Sequence, residues 1–320
     1  MSASKNRPRW HELPGAVRGR IEVLAGGRVV AAENCAGGYS PGFASRLTLA
    51  GGRRVFAKAI DGAEWPSQTP FYRDEIRVAR VLPSGVIGPE FLGSADDGRW
   101  VMLTFACVDG TEPAWPWRAA ELAQVAAAIG AMSQVLTPSP VALPAGQPRI
   151  GGWPDIAADP VAVARLRSVS GWAAANLGLL TELEQAGLEA ARGQTLVHFD
   201  ALPHNILRTE DQVWLVDWPH ARLGAPFIDL LMVLASAGTA AGGSIDLDGL
   251  LVRQPVAAGV RPDAIDAVLT ALTGFYLAGA LADVPAGLGP VAAAKRELGR
   301  SALHWLRQRL TSTESSRPNC

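Results

Sequence analysis

The chain has 320 residues, 48% of them apolar, and a formal net charge of −1. That length and apolar share are enough for one large domain or two modest lobes with ample core, and they exclude an intrinsically disordered chain. A near-neutral balance also argues against a nucleic-acid binder, which needs a basic face.

Only three of the 29 basic Lys and Arg residues are lysine, namely Lys5, Lys58 and Lys295, so a lysine inside a strand stands out. The three cysteines, Cys35, Cys107 and Cys320, are far apart and show no C-x-x-C spacing. They point to a reducing compartment and to neither a disulfide framework nor a zinc site. The first thirty residues lack a basic start followed by an apolar run, so a cytoplasmic location is expected. The run 267–282 is short for a membrane span and bounded by Asp266 and Asp283, which reads as a buried core helix and no membrane association.

Residues 1–12 are polar and read as a loose N-terminus. "LPGAVRGRIEVLAG" predicts a short helix entered at Pro14 and ended at Gly26. The period then changes to that of strands. "RVVAAENCAGGYSPGFASRLTLAGGRRVFAKAI" gives three strands joined by Gly-rich turns, with Gly51-Gly52 as a hairpin signal. "PFYRDEIRVARVL" is a helix beginning near Pro70, and "EFLGSADDGRWVMLTFA" gives two strands around a hairpin at Asp97-Gly98. After "CVDGTEPAWPW" the chain turns Ala-rich, with helices at about 116–135, 160–175, 177–192, 227–237, 262–282 and 288–310. The Pro/Gly-rich segment 138–154 reads as a loop insertion, and two short strands fall near 206–208 and 213–217.

The stretch "LVHFDALPHNILRTEDQVWLVDWPH" carries the densest chemistry. His198-x-Asp200-x-x-x-x-Asn205, followed by Asp217, has the spacing of a kinase catalytic loop and its metal aspartate. Magnesium is a hard cation that takes carboxylate and amide oxygens, here Asp217 and Asn205. A separate carboxylate, Asp200, is then needed to orient the attacking hydroxyl. In "AGGYSPG", Gly37, Gly38, Ser40 and Gly42 join two strands where backbone N–H groups can approach phosphate oxygens. A plain hairpin explains the same glycines. Lys58 is a compact charge suited to phosphate, with a solvated strand lysine as the bland alternative. Phe71, Glu75, Val78 and Leu82 fall on one helix face, so Glu75 needs a cation there. Lys58 is one candidate; Arg73 and Arg77 are the others.

Gly loop, strand Lys, helix Glu, H-x-D-x-x-x-x-N and Asp, in that order, resemble the aminoglycoside phosphotransferase family of the protein-kinase-like superfamily. The resemblance covers most of the chain, and its most specific part is "HFDALPHN…VDW". It implies an α+β, protein-kinase-like bilobal fold. An N-terminal nucleotide lobe (13–108) holds a five-stranded antiparallel sheet with one helix, and a larger, mostly helical lobe (109–320) binds the acceptor. It further implies a hinge at 105–108, with Phe105, Cys107 and Val108 near adenine, and ATP or GTP with Mg2+ as cofactors. Asp229 looks like the family's aspartate that supports the catalytic-loop backbone, a plain helix-start carboxylate being the alternative. His198 becomes a structural hydrogen-bonding residue.

Two departures narrow the acceptor. Phe199 replaces the arginine of H-R-D, and only "WPHARLGAPFI" separates Asp217 from Asp229. That gap leaves no room for a peptide-docking activation segment, so the acceptor is expected to be a small hydroxyl compound. Aminoglycosides or other antibiotics, with a role in resistance, are one expectation; a cellular sugar, amino alcohol or nucleoside-like metabolite is the other. A monomer or homodimer is expected. Two rival readings are a metal hydrolase built on His198, Asp200, His204, Asp217 and His220, and a nucleotide-binding module without turnover.

Overall fold

A computed structural model of the chain describes residues 7–35, 40–83, 85–142, 150–239, 244–282 and 289–315. Its contacts divide it into two compact units. The first comprises Met1–Glu112 with His204–Ala221, and the second Pro113–Pro203 with Arg222–Cys320. The catalytic-loop stretch of the sequence therefore contributes to both.

In the first unit, helix α1 (Gly15–Ala25) ends at Gly26, whose φ of 75° is the left-handed geometry of a glycine cap. The strands β1 (Val29–Asn34), β2 (Phe43–Leu49) and β3 (Arg54–Asp61) follow, then helix α2 (Thr69–Ala79), β4 (Phe91–Asp96) and β5 (Trp100–Ala106). They form the predicted five-stranded sheet, ordered β1-β2-β3-β5-β4, with every pairing antiparallel. The strand period of two sorts its side chains. Val55, Ala57 and Ala59 pack with Val17, Ile21 and Ala25 of α1. Ile60, Val101 and Leu103 meet Tyr72, Ile76 and Ala79 of α2 on the other face. Lys58 has the parity of Ile60 and so points to the α2 side. Of the predicted loose N-terminus, Trp10–Glu12 form a 3-10 turn, and residues 1–6 lie outside the described residues.

The second unit contains the helices α3 (Ala119–Val135), α4 (Trp153–Ala158), α5 (Pro160–Val169), α6 (Gly171–Ala175), α7 (Leu177–Ala190), α8 (Ile228–Ser236), α9 (Leu247–Val252), α10 (Pro262–Leu281) and α11 (Gly289–Ser315). Helix α10 is long and apolar enough by composition to cross a membrane, and 78% of its most apolar window is buried within the protein. It lies between α7 and α11. A Cβ at Gly187 of α7 would collide with the Ala267 carbonyl, so glycine sets this close helix approach. The one acid buried in α10, Asp266, is met by Arg309 of α11, which also reaches Asp248.

Several element boundaries differ from the sequence-based expectation. The predicted helix 160–175 is two helices, broken at Ser170, whose side chain caps α6 by accepting the Ala173 amide. Helix α4 begins at Trp153, inside the predicted insertion, whose residues 143–149 lie outside the described residues. The strand predicted over 213–217 ends at Leu215. A further short pair, Thr195–Val197 with Arg222–Gly224, was not expected.

Candidate active site

Strand parity and helix phase bring Lys58 and Glu75 together in the first unit. The Lys58 ammonium lies 2.8 and 2.9 Å from the two Glu75 oxygens and 2.7 Å from Asp217 Oδ1. Side-chain exposure is 12% for Lys58 and 4% for Glu75, against 40% for Asp217, so the cluster opens to solvent on its Asp217 side. Arg73 pairs instead with Asp96, and Arg77 with Asp74, leaving Lys58 as the cation that meets Glu75. Burial pulls the Lys58 pKa down, but the charges of Asp217 and Glu75 and their hydrogen bonds outweigh it and hold the ammonium above its ordinary value. One cation serves two carboxylates. Burial accordingly pushes Glu75 upward, against the pull of Lys58 and of the Trp218 amide that also donates to it.

Asn205 and Asp217 sit at the open end of one small hairpin, Ile206–Arg208 paired with Val213–Leu215. The Asn205 carbonyl accepts the Val216 amide at 2.9 Å, which places the two residues side by side in this unit. The hairpin is anchored to the segment that follows β5, since Thr111 and Arg208 exchange backbone hydrogen bonds of 2.9 and 2.8 Å. Asp217 has a φ of 69°, a left-handed conformation that non-glycine residues rarely adopt. An amide and a carboxylate here form a hard-oxygen pair of the type magnesium takes. Among the described residues, no group of three or more His, Cys, Asp or Glu side chains is arranged to hold a metal. The histidine–carboxylate cluster of the hydrolase reading is thus not assembled. His220 is exposed and meets the Phe71 ring edge-on at 5.2 Å.

Of the glycine-loop residues, Gly37 and Gly38 lie outside the described residues, whereas Ser40 and Gly42 are described. Ser40 Oγ is 2.6 Å from the Tyr72 hydroxyl and accepts the Gly42 amide at 3.3 Å. A Cβ at Gly42 would run into that hydroxyl and stand 2.6 Å from the Ala59 carbonyl, so only glycine fits. Phe105 is buried, and Cys107 and Val108 are half-buried in the segment after β5. Burial pushes the Cys107 thiol up.

Tyr72 was missed from sequence. It lies on the buried face of α2, which holds Glu75 and Val78 of the predicted stripe together with Tyr72, Ile76 and Ala79, while Phe71 and Leu82 at the ends of that stripe are half-buried.

In the second unit, one carboxylate organises the loop that bears Asp200. Buried Asp229, in the first turn of α8, accepts the His198 amide at 2.8 Å and the Phe199 amide at 3.0 Å. Phe199 has a φ of 66°, a costly conformation for a bulky residue, roughly 1–2 kcal/mol. The two hydrogen bonds hold it there. His198 is fully buried and its Nδ1 accepts the Asp200 amide at 3.2 Å, so the ring braces the loop. Burial pushes Asp229 up to about 7, against the two amide bonds, and the negative charge of Asp200 adds to the rise. The hydroxyl of Tyr276, on α10, is buried without a hydrogen-bond partner among the described residues. Burial raises its pKa, and the charges of Asp200 and Asp229 raise it further.

A five-stranded sheet carrying a Lys–Glu pair, followed by a helical unit with a braced H-x-D loop, defines a protein-kinase-like fold. Among solved structures, a spectinomycin phosphotransferase in complex with ADP and spectinomycin matches with a TM-score of 0.59 at 12% identity, over 92% of this chain and 98% of that one. The choline kinase of Cryptosporidium parvum Iowa II gives 0.53 at 11% identity, over 98% and 93%. An amicoumacin kinase in complex with AMP-PNP and Ca2+ gives 0.52 at 13%, over 90% and 96%. Comparison with curated proteins gives no match. The model of the phosphotransferase enzyme family matches residues 32–262, and the chain belongs to that family. It is a small-molecule phosphotransferase.

Proposed function

We propose that the chain moves the γ-phosphoryl of ATP, or of GTP, to a hydroxyl of a small molecule by in-line transfer. The observation that carries this reading is the buried ammonium of Lys58 held between Glu75 and Asp217. Lys58, oriented by Glu75, meets the nucleotide's phosphates as a point charge. Gly37, Gly38, Ser40 and Gly42 bring backbone amides to the same phosphates, and Phe105, Cys107 and Val108 line the adenine. Asn205 and Asp217 would hold Mg2+, which neutralises phosphate charge when bound.

Asp200 orients the acceptor hydroxyl and takes its proton. His198 and Asp229 fix the backbone on which Asp200 stands, so its carboxylate needs little reorganisation as the reaction proceeds. Catalysis is then positioning plus charge neutralisation.

Two of the similar structures are named a spectinomycin phosphotransferase and a choline kinase, which supports acceptors of an antibiotic or an amino-alcohol kind. We infer a hydroxylated small molecule of either class, handled in the cytoplasm. The test is a screen for ADP release with Mg·ATP across aminoglycosides, macrolides, peptide antibiotics, amino alcohols, sugars and nucleosides. At least one acceptor should yield a phosphorylated product by mass. Tight retention of a transition metal, with no nucleotide binding, would overturn the reading in favour of a hydrolase.

A further inference from the structure

The N-terminal segment makes a contact that neither strand pairing nor core packing requires. Arg7 spreads its guanidinium over two carbonyls, donating from Nη1 to Cys35 O at 2.9 Å and from Nε to Ser40 O at 3.1 Å. Cys35 follows β1 and Ser40 precedes β2, so one side chain ties the two backbone ends that flank residues 36–39. The neighbouring Pro8 carbonyl accepts the Asn34 side-chain amide at 3.3 Å, and Asn34 Oδ1 in turn accepts the Ser45 hydroxyl at 2.7 Å. This segment therefore lies across the turn end of the β1–β2 hairpin. A planar guanidinium is suited to such a two-carbonyl clamp, whereas an ammonium is a single point.

Ser40 then leads inward. Its hydroxyl meets Tyr72, which lies three residues before Glu75 on the buried face of α2. The Tyr72 hydroxyl also covers Gly42 beside the Ala59 carbonyl, next in the chain to Lys58.

We propose that Arg7 is a positioning residue for the nucleotide site: it fixes the backbone of Ser40, and Ser40 transmits that constraint through Tyr72 to the helix that carries Glu75. This rests on the reading above, in which the Lys58 cluster and Ser40 serve the nucleotide. The role is not catalytic, because Arg7 acts only through other residues. It makes the segment ahead of α1 part of the nucleotide-binding machinery.

The experiment is a calorimetric titration of ADP with magnesium into the full chain, which needs no acceptor. Parent, Arg7→Gln, Arg7→Lys, Tyr72→Phe and the Arg7→Gln/Tyr72→Phe double variant are compared, each with its melting temperature. Arg7→Gln is expected to weaken ADP about fivefold or more while the protein stays folded. Arg7→Lys recovers part of the loss, because one of the two contacts can be remade. The double variant loses less than the product of the two single effects, because both act on Ser40. ADP affinity within about twofold of the parent in Arg7→Gln, or strictly multiplicative losses, overturns the proposal. If Arg7→Gln fails to fold, unchanged affinity in Arg7→Lys overturns it equally. A parent chain that does not bind ADP at all refutes the nucleotide reading itself, and is seen before any variant is compared.

Discussion

The two units use their buried carboxylates in opposite ways. In the first, charge meets charge: Lys58 stands between Glu75 and Asp217. In the second, Asp229 holds backbone, fixing His198 and Phe199 by their amides, with no cation paired to it among the described residues. Among the described residues, each unit also keeps one non-glycine residue at positive φ, Asp217 in the first and Phe199 in the second. Asp tolerates that conformation through its short polar side chain, whereas Phe needs an outside hold. The difference fits two tasks. On the proposed function, the nucleotide's phosphates are met by a point charge held between carboxylates, and the acceptor hydroxyl by a carboxylate on a braced backbone.

The largest expected effect separates the tasks. Asp200→Asn should lower turnover about a thousandfold, read as ADP release with a competent acceptor, because the group proposed to orient the hydroxyl loses its basicity. Lys58→Met strikes the other unit. It leaves two carboxylates near a largely buried site without their cation, and breaking such a pair costs about 3–5 kcal/mol. A melting temperature lowered by several degrees is expected, and adding Glu75→Gln should restore part of it by removing the uncompensated charge.

Asp229 gives a prediction with a definite sign. Its folded pKa of about 7 lies above the ordinary carboxylate value of 3.8, so the folded state binds the extra proton between those values. Such a group contributes stability that is full below its unfolded pKa and is lost as pH rises through the folded one. The stability of the parent relative to Asp229→Asn should therefore fall from about pH 4 to about pH 7 in urea titrations. A rise over that range would mean that the two amide bonds outweigh burial. The smallest effect is expected from Gly42→Ala, about 1–3 kcal/mol of destabilisation, because the added methyl meets Tyr72 and the Ala59 carbonyl.

Much of the first unit was legible because its signals are local. Gly26, Gly52 and Gly98 all take the positive φ that their turns imply, and the strand that carries Lys58 lies where its alternation puts it. Glu75 was legible for another reason: a carboxylate on an apolar helix face demands a cation. What sequence did not reveal depends on long-range contacts. Arg7 meets Cys35 and Ser40, 28 and 33 residues away. Thr195–Val197 finds its partner only at Arg222–Gly224, and three-residue strands leave no period to read. The Ala-rich run 160–175 hides its break because a capping serine interrupts no hydrophobic stripe. The positive φ at Phe199 was equally invisible, since phenylalanine does not signal a left-handed backbone.

The central claim, that the first unit's carboxylate serves the nucleotide and the second unit's serves the acceptor, has a direct test without any acceptor. ADP with magnesium is titrated into the parent, Asp200→Ala and Asp217→Ala. The account predicts affinity within about twofold of the parent for Asp200→Ala, and a loss of about tenfold or more for Asp217→Ala. Equal losses in the two variants, or a loss confined to Asp200→Ala, would contradict it.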